Sequence, residues 1–366
     1  MTELLDSSQA AWSELDQALE RIATDAAARD DEPRPAFPED AIARLERAGA
    51  LAFNAAPGPR RPPAADELGL VQRVARADGS VGRIFDGHLN AVERIAVQGP
   101  AELRDEELRA AATGELRAGV WGGDPVPGEG EPAMVIARDR GQVLRGVKTF
   151  CSGAGGLHRA LVLARAEHGG PPVSAWVDLT DPWRIVIDES WYRSHGLRAS
   201  VSHRVVFEDA PVLALLGAPG SIAQQPWFAR DALRTAATWA GMLDTAAEAA
   251  LDELAARPQS GPLEGLAAGR MLTARRTVSL WIDAAARAMD GAGHDLPDVA
   301  LHARAAISDA CRTLLDEAAR GCGSRPFARA TALDRARRDL EVFLLQHRLD
   351  PLLARAGEAA IRRPVS

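Results

Sequence analysis

RGVKTFCSGAGGLHRALVLARA, Arg145 to Ala166, is the stretch whose reading decides the fold. Gly146 and Lys148 lead through Phe150 to Ser152, small residues fill Gly153 to Gly156, and a second apolar run ends in charge. Two short runs around a glycine-rich break read as successive strands. The glycines also allow close backbone approach. The stretch is therefore either an ordinary β-corner or a place where the main chain meets a flat ligand.

Periodicity on either side of it sets the frame. Before it, Trp12, Leu15, Ala18, Leu19 and Ile22 recur at helical spacing up to the polar break DDEPRP. FPEDAIARLERAGAL follows with Pro38 at its start and Gly49 near its stop. Further helices are expected over 65–77, 82–97 and 103–112. From about Gly119 the period becomes two, in AMVIAR, QVLRG, KTFCS, ALVLARA, VSAWVDL, RIVID and RVVFED. After GAPGS the chain is helical again. A stripe from Leu233 to Leu251 comes first, then helices over 263–289, 299–320 and 332–347, with Pro351 opening a short last one. The predicted organisation is α+β and multi-domain: a helical domain over 1–117, a small β-barrel or sandwich over 118–215, and a four-helix bundle over 222–366.

Composition narrows the function classes. The net charge of -8 over 366 residues disfavours non-specific nucleic-acid binding. No run approaches the ~20 apolar residues of a membrane helix, and the acidic N-terminus lacks the apolar core of a secretory signal. Three cysteines with no CxxC pair point to a reducing, cytoplasmic setting. GQVLRGVK lacks the Gly-Lys-Ser/Thr ending of a phosphate-binding loop, and SGAGGLH precedes a strand rather than a helix, so neither nucleotide motif applies. The eight histidines are scattered, and no metal site is expected.

Helices, then a β-domain carrying Gly-x-Lys and an aromatic-x-Ser run, then a bundle: this order resembles the acyl-CoA dehydrogenase superfamily over nearly the whole chain. Five segments carry the resemblance. They are FPEDAIARLERAGAL, VWGGDP (120–125), GVKTFCSGAGGLHRALVLARA, HGLRASVSHRVVFEDAPV and LDRARRDLEVFLLQHR. It implies an FAD cofactor, with Phe150 against the ring and the Ser152 hydroxyl and nearby backbone, including Cys151, at its N5 edge. Chemically this is coherent, because a flavin ring needs a flat apolar wall and hydrogen-bonding groups at its polar rim. In VWGGDP the family's Thr and Glu are replaced by Gly123 and Asp124, so Gly122 and Gly123 offer backbone only. Trp121 lies either near the flavin or under the barrel. Arg257, and Gly321 and Gly323 in RGCGSRPF, stand where the family meets the far end of FAD across a subunit boundary, or they simply end helices. That sharing implies a homodimer or homotetramer.

The base is where the chain departs from its apparent family. Acyl thioester dehydrogenation needs a carboxylate for the α-proton, a contribution of roughly 10²–10⁴-fold. Counting from the Arg338-Asp339 pair reaches Gln346 and His347 instead of Glu; His347 is either a base near neutral pH or a polar residue at a frayed helix end. The alternative position, early on the first bundle helix, offers Asp231. Arg335 and Asp339, four apart, read as a surface pair. The sequence keeps the flavoprotein scaffold better than the dehydrogenase chemistry. The first reading is an FAD-dependent oxidoreductase acting on the CH–CH bond of an acyl thioester or related small-molecule substrate, with an electron-transfer partner. The second is a flavin-dependent monooxygenase on the same scaffold, served by a flavin reductase. The third is a non-catalytic acyl-binding homologue.

Overall fold

The computed structural model describes residues 2–55, 62–139, 141–291, 295–346 and 349–362. Five helices come first: α1 (Thr2–Asp31), α2 (Glu39–Arg47), α3 (Ala64–Ala77), α4 (Gly79–Gln98) and α5 (Ala101–Ala112). Gly49 stops the α2 segment with φ 71°, a left-handed turn that glycine enters without a Cβ clash. Asp78 starts α4 by accepting the N–H groups of Ser80 and Val81.

Seven strands follow among the described residues: β1 (Ala118–Trp121), β2 (Met134–Arg138), β3 (Gly141–Cys151), β4 (Arg159–Ala166), β5 (Val173–Asp178), β6 (Ile185–Asp188) and β7 (His203–Leu215). They run in the order β1-β4-β2-β3-β7-β5, and β4 also pairs with β5. The sheet thus closes into a small barrel, in which β1 pairs with the start of β4 next to β2 and β6 pairs with the start of β7 next to β5; closure removes the exposed edges that invite aggregation. QVLRG and KTFCS, read as separate runs, are one strand. Gly146, the last residue of the first run, has φ 118°, and a Cβ there would lie 2.8 Å from Pro132 O. Only glycine lets β3 pass the chain entering β2 so closely.

The bundle comprises α6 (Trp227–Ala255), α7 (Pro262–Asp290), α8 (Leu296–Cys322), α9 (Ala332–Phe343) and α10 (Asp350–Ile361). Small residues set its spacing: a Cβ on Gly241 of α6 would lie 2.2 Å from Gln72 O of α3. One apolar core runs from Ile22 and Leu45 through Trp121 and Phe207 to Trp239 and Phe343. The helix expected to reach 347 ends at Phe343, and Leu344 to Gln346 turn away. No helix among the described residues is long and apolar enough to cross a membrane.

Candidate functional site

The end of β3 is built to expose one aromatic side chain. β3 pairs with β7, but the register slips between Lys148 and Cys151. Phe150 sits in that bulge at φ 53°, a left-handed conformation unusual for a bulky residue. It is turned outward and 59% exposed, while Thr149 and Cys151 on either side are buried. Backbone strain of this kind persists where surrounding structure enforces it. Here Trp191 packs edge-on against the Phe150 ring at 4.9 Å, and its indole N–H donates to Glu129 Oε1 at 2.8 Å. Arg204 holds that segment in turn, donating twice to Glu129 O.

The VWGGDP segment closes against the same strand. Lys148, buried, donates to Asp124 Oδ1 at 2.7 Å, and Thr149 N–H donates to Gly123 O at 2.9 Å. A Cβ on Gly123 would stand 2.6 Å from Thr149 O, so this pairing requires glycine. Gly-x-Lys therefore has a local physical meaning: Gly146 admits β2, and Lys148 anchors Asp124. Gly122 is exposed beside them.

Two of the predicted cofactor residues offer a ligand no face in this chain. Trp121 is 1% exposed, packs on Phe207, and donates its indole N–H to Ser152 O at 3.0 Å. Of the two places open to it, it takes the one under the barrel and props the loop from beneath. Cys151 is fully buried, and burial pushes its thiol well above the ordinary range. Ser152 is 8% exposed and its hydroxyl meets Ser202 Oγ at 2.9 Å. Ser202 Oγ is 2.8 Å from Ser200 Oγ, which donates to Leu197 O at 2.7 Å. Sequence reading missed this hydroxyl chain. The SxS pattern in RASVSH was its only local signal, and its pairing with Ser152 depends on the β3–β7 register.

Arg257 and the two glycines do come together, on the bundle. Arg257 Nη2 donates to Cys322 O at 2.6 Å, tying the α6–α7 turn to the end of α8. Gly321 packs inside α8 against Ala267, and Gly323 caps the helix at φ 70° with open space around it. Arg257 is thus already engaged by a helix terminus.

Asp231 lies in an ion-pair network on α6. Its Oδ2 accepts from Arg94 Nε at 3.1 Å and its Oδ1 from Arg234 Nη1 at 3.3 Å. Arg230 and Arg234 are held in turn by the fully buried Glu67 and Glu93. Burial raises the Asp231 carboxyl to about 6, against the opposing pull of Arg94 and Arg234. Gln346 follows the end of α9, and His347 lies outside the described residues.

Asp339, read as half of a surface pair with Arg335, is instead buried and accepts Leu197 N–H at 2.6 Å. Arg338 reaches Asp30, Asp334 and His195 O. The pair joins α9 to the barrel and to α1. A Cβ on Gly196 would lie 2.0 Å from Arg338 O, which shows how close that joint is. The exposed Phe150 and the half-buried Trp191, with the buried Ser152 two residues on, form a platform suited to a flat ring with a polar rim.

No family model matches the chain. Over 166 residues it is 27% identical to a dibenzothiophene monooxygenase of Mycolicibacterium goodii, an alignment covering 42% of this chain and 39% of that protein. Three solved structures match almost end to end. TdsC from Paenibacillus sp. A11-2, in complex with FMN and indole, is 17% identical with a TM-score of 0.83, over 97% of this chain and 98% of that one. Methanesulfinate monooxygenase from Pseudomonas fluorescens is 20% identical with a TM-score of 0.81, over 97% of each chain. A nitrososynthase from Micromonospora carbonacea var. africana is 21% identical with a TM-score of 0.78, over 96% of each chain.

Proposed function

Proceeding from a chain that carries the acyl-CoA dehydrogenase-like fold, we propose that it is a flavin-dependent monooxygenase oxidising a heteroatom of a small organic molecule. The observation that carries the reading is the state of Asp231. It is the carboxylate at one of the two base positions, and Arg94 and Arg234 already hold both of its oxygens. The other position falls on Gln346 and His347. A thioester dehydrogenase needs a free carboxylate there. An oxygenase has no such need. This replaces the CH–CH dehydrogenase as the preferred reading, and two comparators named as monooxygenases of sulfur compounds support the exchange.

When bound, a reduced flavin supplies the electrons that activate dioxygen. The chain's own residues do the rest. Phe150, braced by Trp191, walls the ring, Gly122 and Gly123 admit it closely, and Ser152 meets its polar edge. Because Arg257 serves the α8 terminus, FMN suits the site better than FAD, in keeping with the FMN bound to a structural neighbour. Gly323, open at the end of α8, is the surface left for a ring or phosphate completed by a second copy, in a homodimer or homotetramer. A separate flavin reductase is the partner this chemistry requires.

The test is direct. Purified protein given reduced FMN and air, with thioethers, sulfinates and amines as substrates, should yield oxygenated product carrying label from ¹⁸O₂. Flavin bleaching by acyl-CoA without oxygen would restore the dehydrogenase.

A further inference from the structure

Two histidines flank the start of β1. Arg117 N–H donates to His158 Nδ1 at 3.1 Å, and Ala118 N–H donates to His88 Nδ1 at 3.2 Å. Successive N–H groups of a strand point to opposite edges, so the two rings take β1 from both sides. His158 extends the β1–β4 ladder by one step: its own N–H donates to Arg117 O at 2.8 Å, just before the Ala118–Arg159 pair. His88 comes from α4, on the edge that β4 leaves open. Its Nε2 donates to Leu51 O at 2.9 Å, which ties in the turn after α2.

Both Nδ1 atoms accept, which an imidazole can do only while uncharged. A proton on either one sets donor against donor. His88 resists that proton: the ring is 2% exposed beside a cavity of about 10 Å³, room for one water. Burial lowers its pKa to about 4, with Leu51 O and Glu46 opposing. His158 is half-buried, and burial, Arg117 and Arg159 hold it below the ordinary 6.5. Glu46 and a bond to the Glu115 main chain oppose them. Both Glu46 oxygens already accept from Arg117, which also holds Glu39. Further along β1, Trp121 donates to Ser152 O, and Gly123 pairs with Thr149 beside Phe150.

We infer that His88 and His158 are positioning residues, a pair of uncharged imidazoles that seats β1 and with it the Gly122–Gly123 wall of the site. Protonation of His158 unseats the strand, so the site loosens in acid. The inference rests on the flavin reading above for what the wall receives; the seating of β1 does not depend on it. Folded His158 takes its proton less readily than a free imidazole. The seated form is therefore complete above pH 6.5 and is lost as pH falls through the lowered value.

Amide hydrogen exchange of the peptide 117–124 tests this in the protein without flavin, from pH 5 to 8. Rates are corrected for intrinsic exchange, and circular dichroism confirms the fold. One neutral hydrogen bond corresponds to about fivefold, so wild-type exchange should rise about fivefold towards pH 5, with a midpoint below 6.5. His158→Gln offers an amide oxygen that does not titrate, and its rate should stay flat at the wild-type pH 8 value. His158→Ala lacks the acceptor and should exchange fast throughout. His88→Gln, able to accept and donate, should keep the wild-type profile, whereas His88→Leu should be fast at every pH. FMN affinity is measured alongside. The FMN phosphate itself titrates near pH ~6, so the readout is wild type against His158→Gln: at pH 5 the wild type should bind about fivefold more weakly. Wild-type exchange as flat as that of His158→Gln overturns the inference, and so does equal FMN affinity of these two at pH 5. Failure of the wild type to bind FMN at pH 8, with the exchange profile as expected, overturns the flavin reading instead.

Discussion

Asp339 Oδ1 accepts the backbone N–H of Leu197 at 2.6 Å, joining helix α9 of the bundle to the barrel loop that carries Ser200 and Ser202. Burial, with Asp78 and Asp30 nearby, raises this carboxyl to about 7. Leu197 itself is left-handed at φ 53°, so the bond holds a strained residue in place. The bundle thereby positions the hydroxyl chain of the candidate site.

That pKa has a sign in stability. The folded state holds the Asp339 proton up to about pH 7, while an unfolded carboxyl releases it near 4. Between those values the native state binds more protons, so this group makes stability fall as pH rises, by up to about 1.4 kcal/mol per unit. Asp339→Asn keeps an acceptor for Leu197 without the ionisation. Thermal unfolding from pH 4 to 8 should show a flatter profile for the variant; parallel profiles would mean that Asp339 titrates as it does when unfolded.

At the same joint, Gly196→Ala should be costly. The added Cβ would sit 2.0 Å from Arg338 O, and main chain must move to admit it. A loss of about 2 kcal/mol is expected from such overpacking. Urea unfolding within 0.5 kcal/mol of wild type would argue against the tight barrel–bundle contact.

Asp231→Asn tests structure against catalysis. Weakening its pairing with Arg94, whose side chain is fully buried, should destabilise by about 1–3 kcal/mol. Turnover per folded molecule should stay within about threefold of wild type. A fall of 10² or more at full folding would return Asp231 to the role of base.

Arg304 lies over the Trp239 ring at 5.5 Å, with its buried Nε and Nη2 unpartnered among the described residues. Burial lowers its pKa to about 10, leaving it charged at neutral pH. Arg304→Met should therefore be neutral or stabilise by about 1–2 kcal/mol. Calorimetry showing a clear loss would reveal a counter-charge supplied by another molecule.

Phe150→Ala should weaken FMN binding about 3–10-fold, the worth of one aromatic contact, with little change in stability because the ring is exposed. Titration by flavin fluorescence measures it. Unaltered binding would place the ring elsewhere.

Much of this was legible in one dimension because it depends on local periodicity. The alternation around Arg145–Ala166 and the helical stripes on either side follow from which face of each element is buried. Gly146, Gly123 and Gly196 were visible as glycines, but their necessity appears only when β2, β3 and α9 close to within 3 Å of a would-be Cβ. Trp121 had two homes in the sequence, and packing chose the core because the barrel interior beneath Ser152 has room for an indole and an acceptor for its N–H. Asp339 read as a solvated partner of Arg335, since helical spacing cannot tell which face a neighbouring domain will cover. Nor could spacing say that Arg94, 137 residues earlier in the chain, would claim Asp231. The sequence by itself determined the elements, their order and the aromatic-x-Ser end of β3. Only the tertiary structure decided which polar groups were left free, because hydrogen-bond partners distant in the chain are chosen when the elements pack.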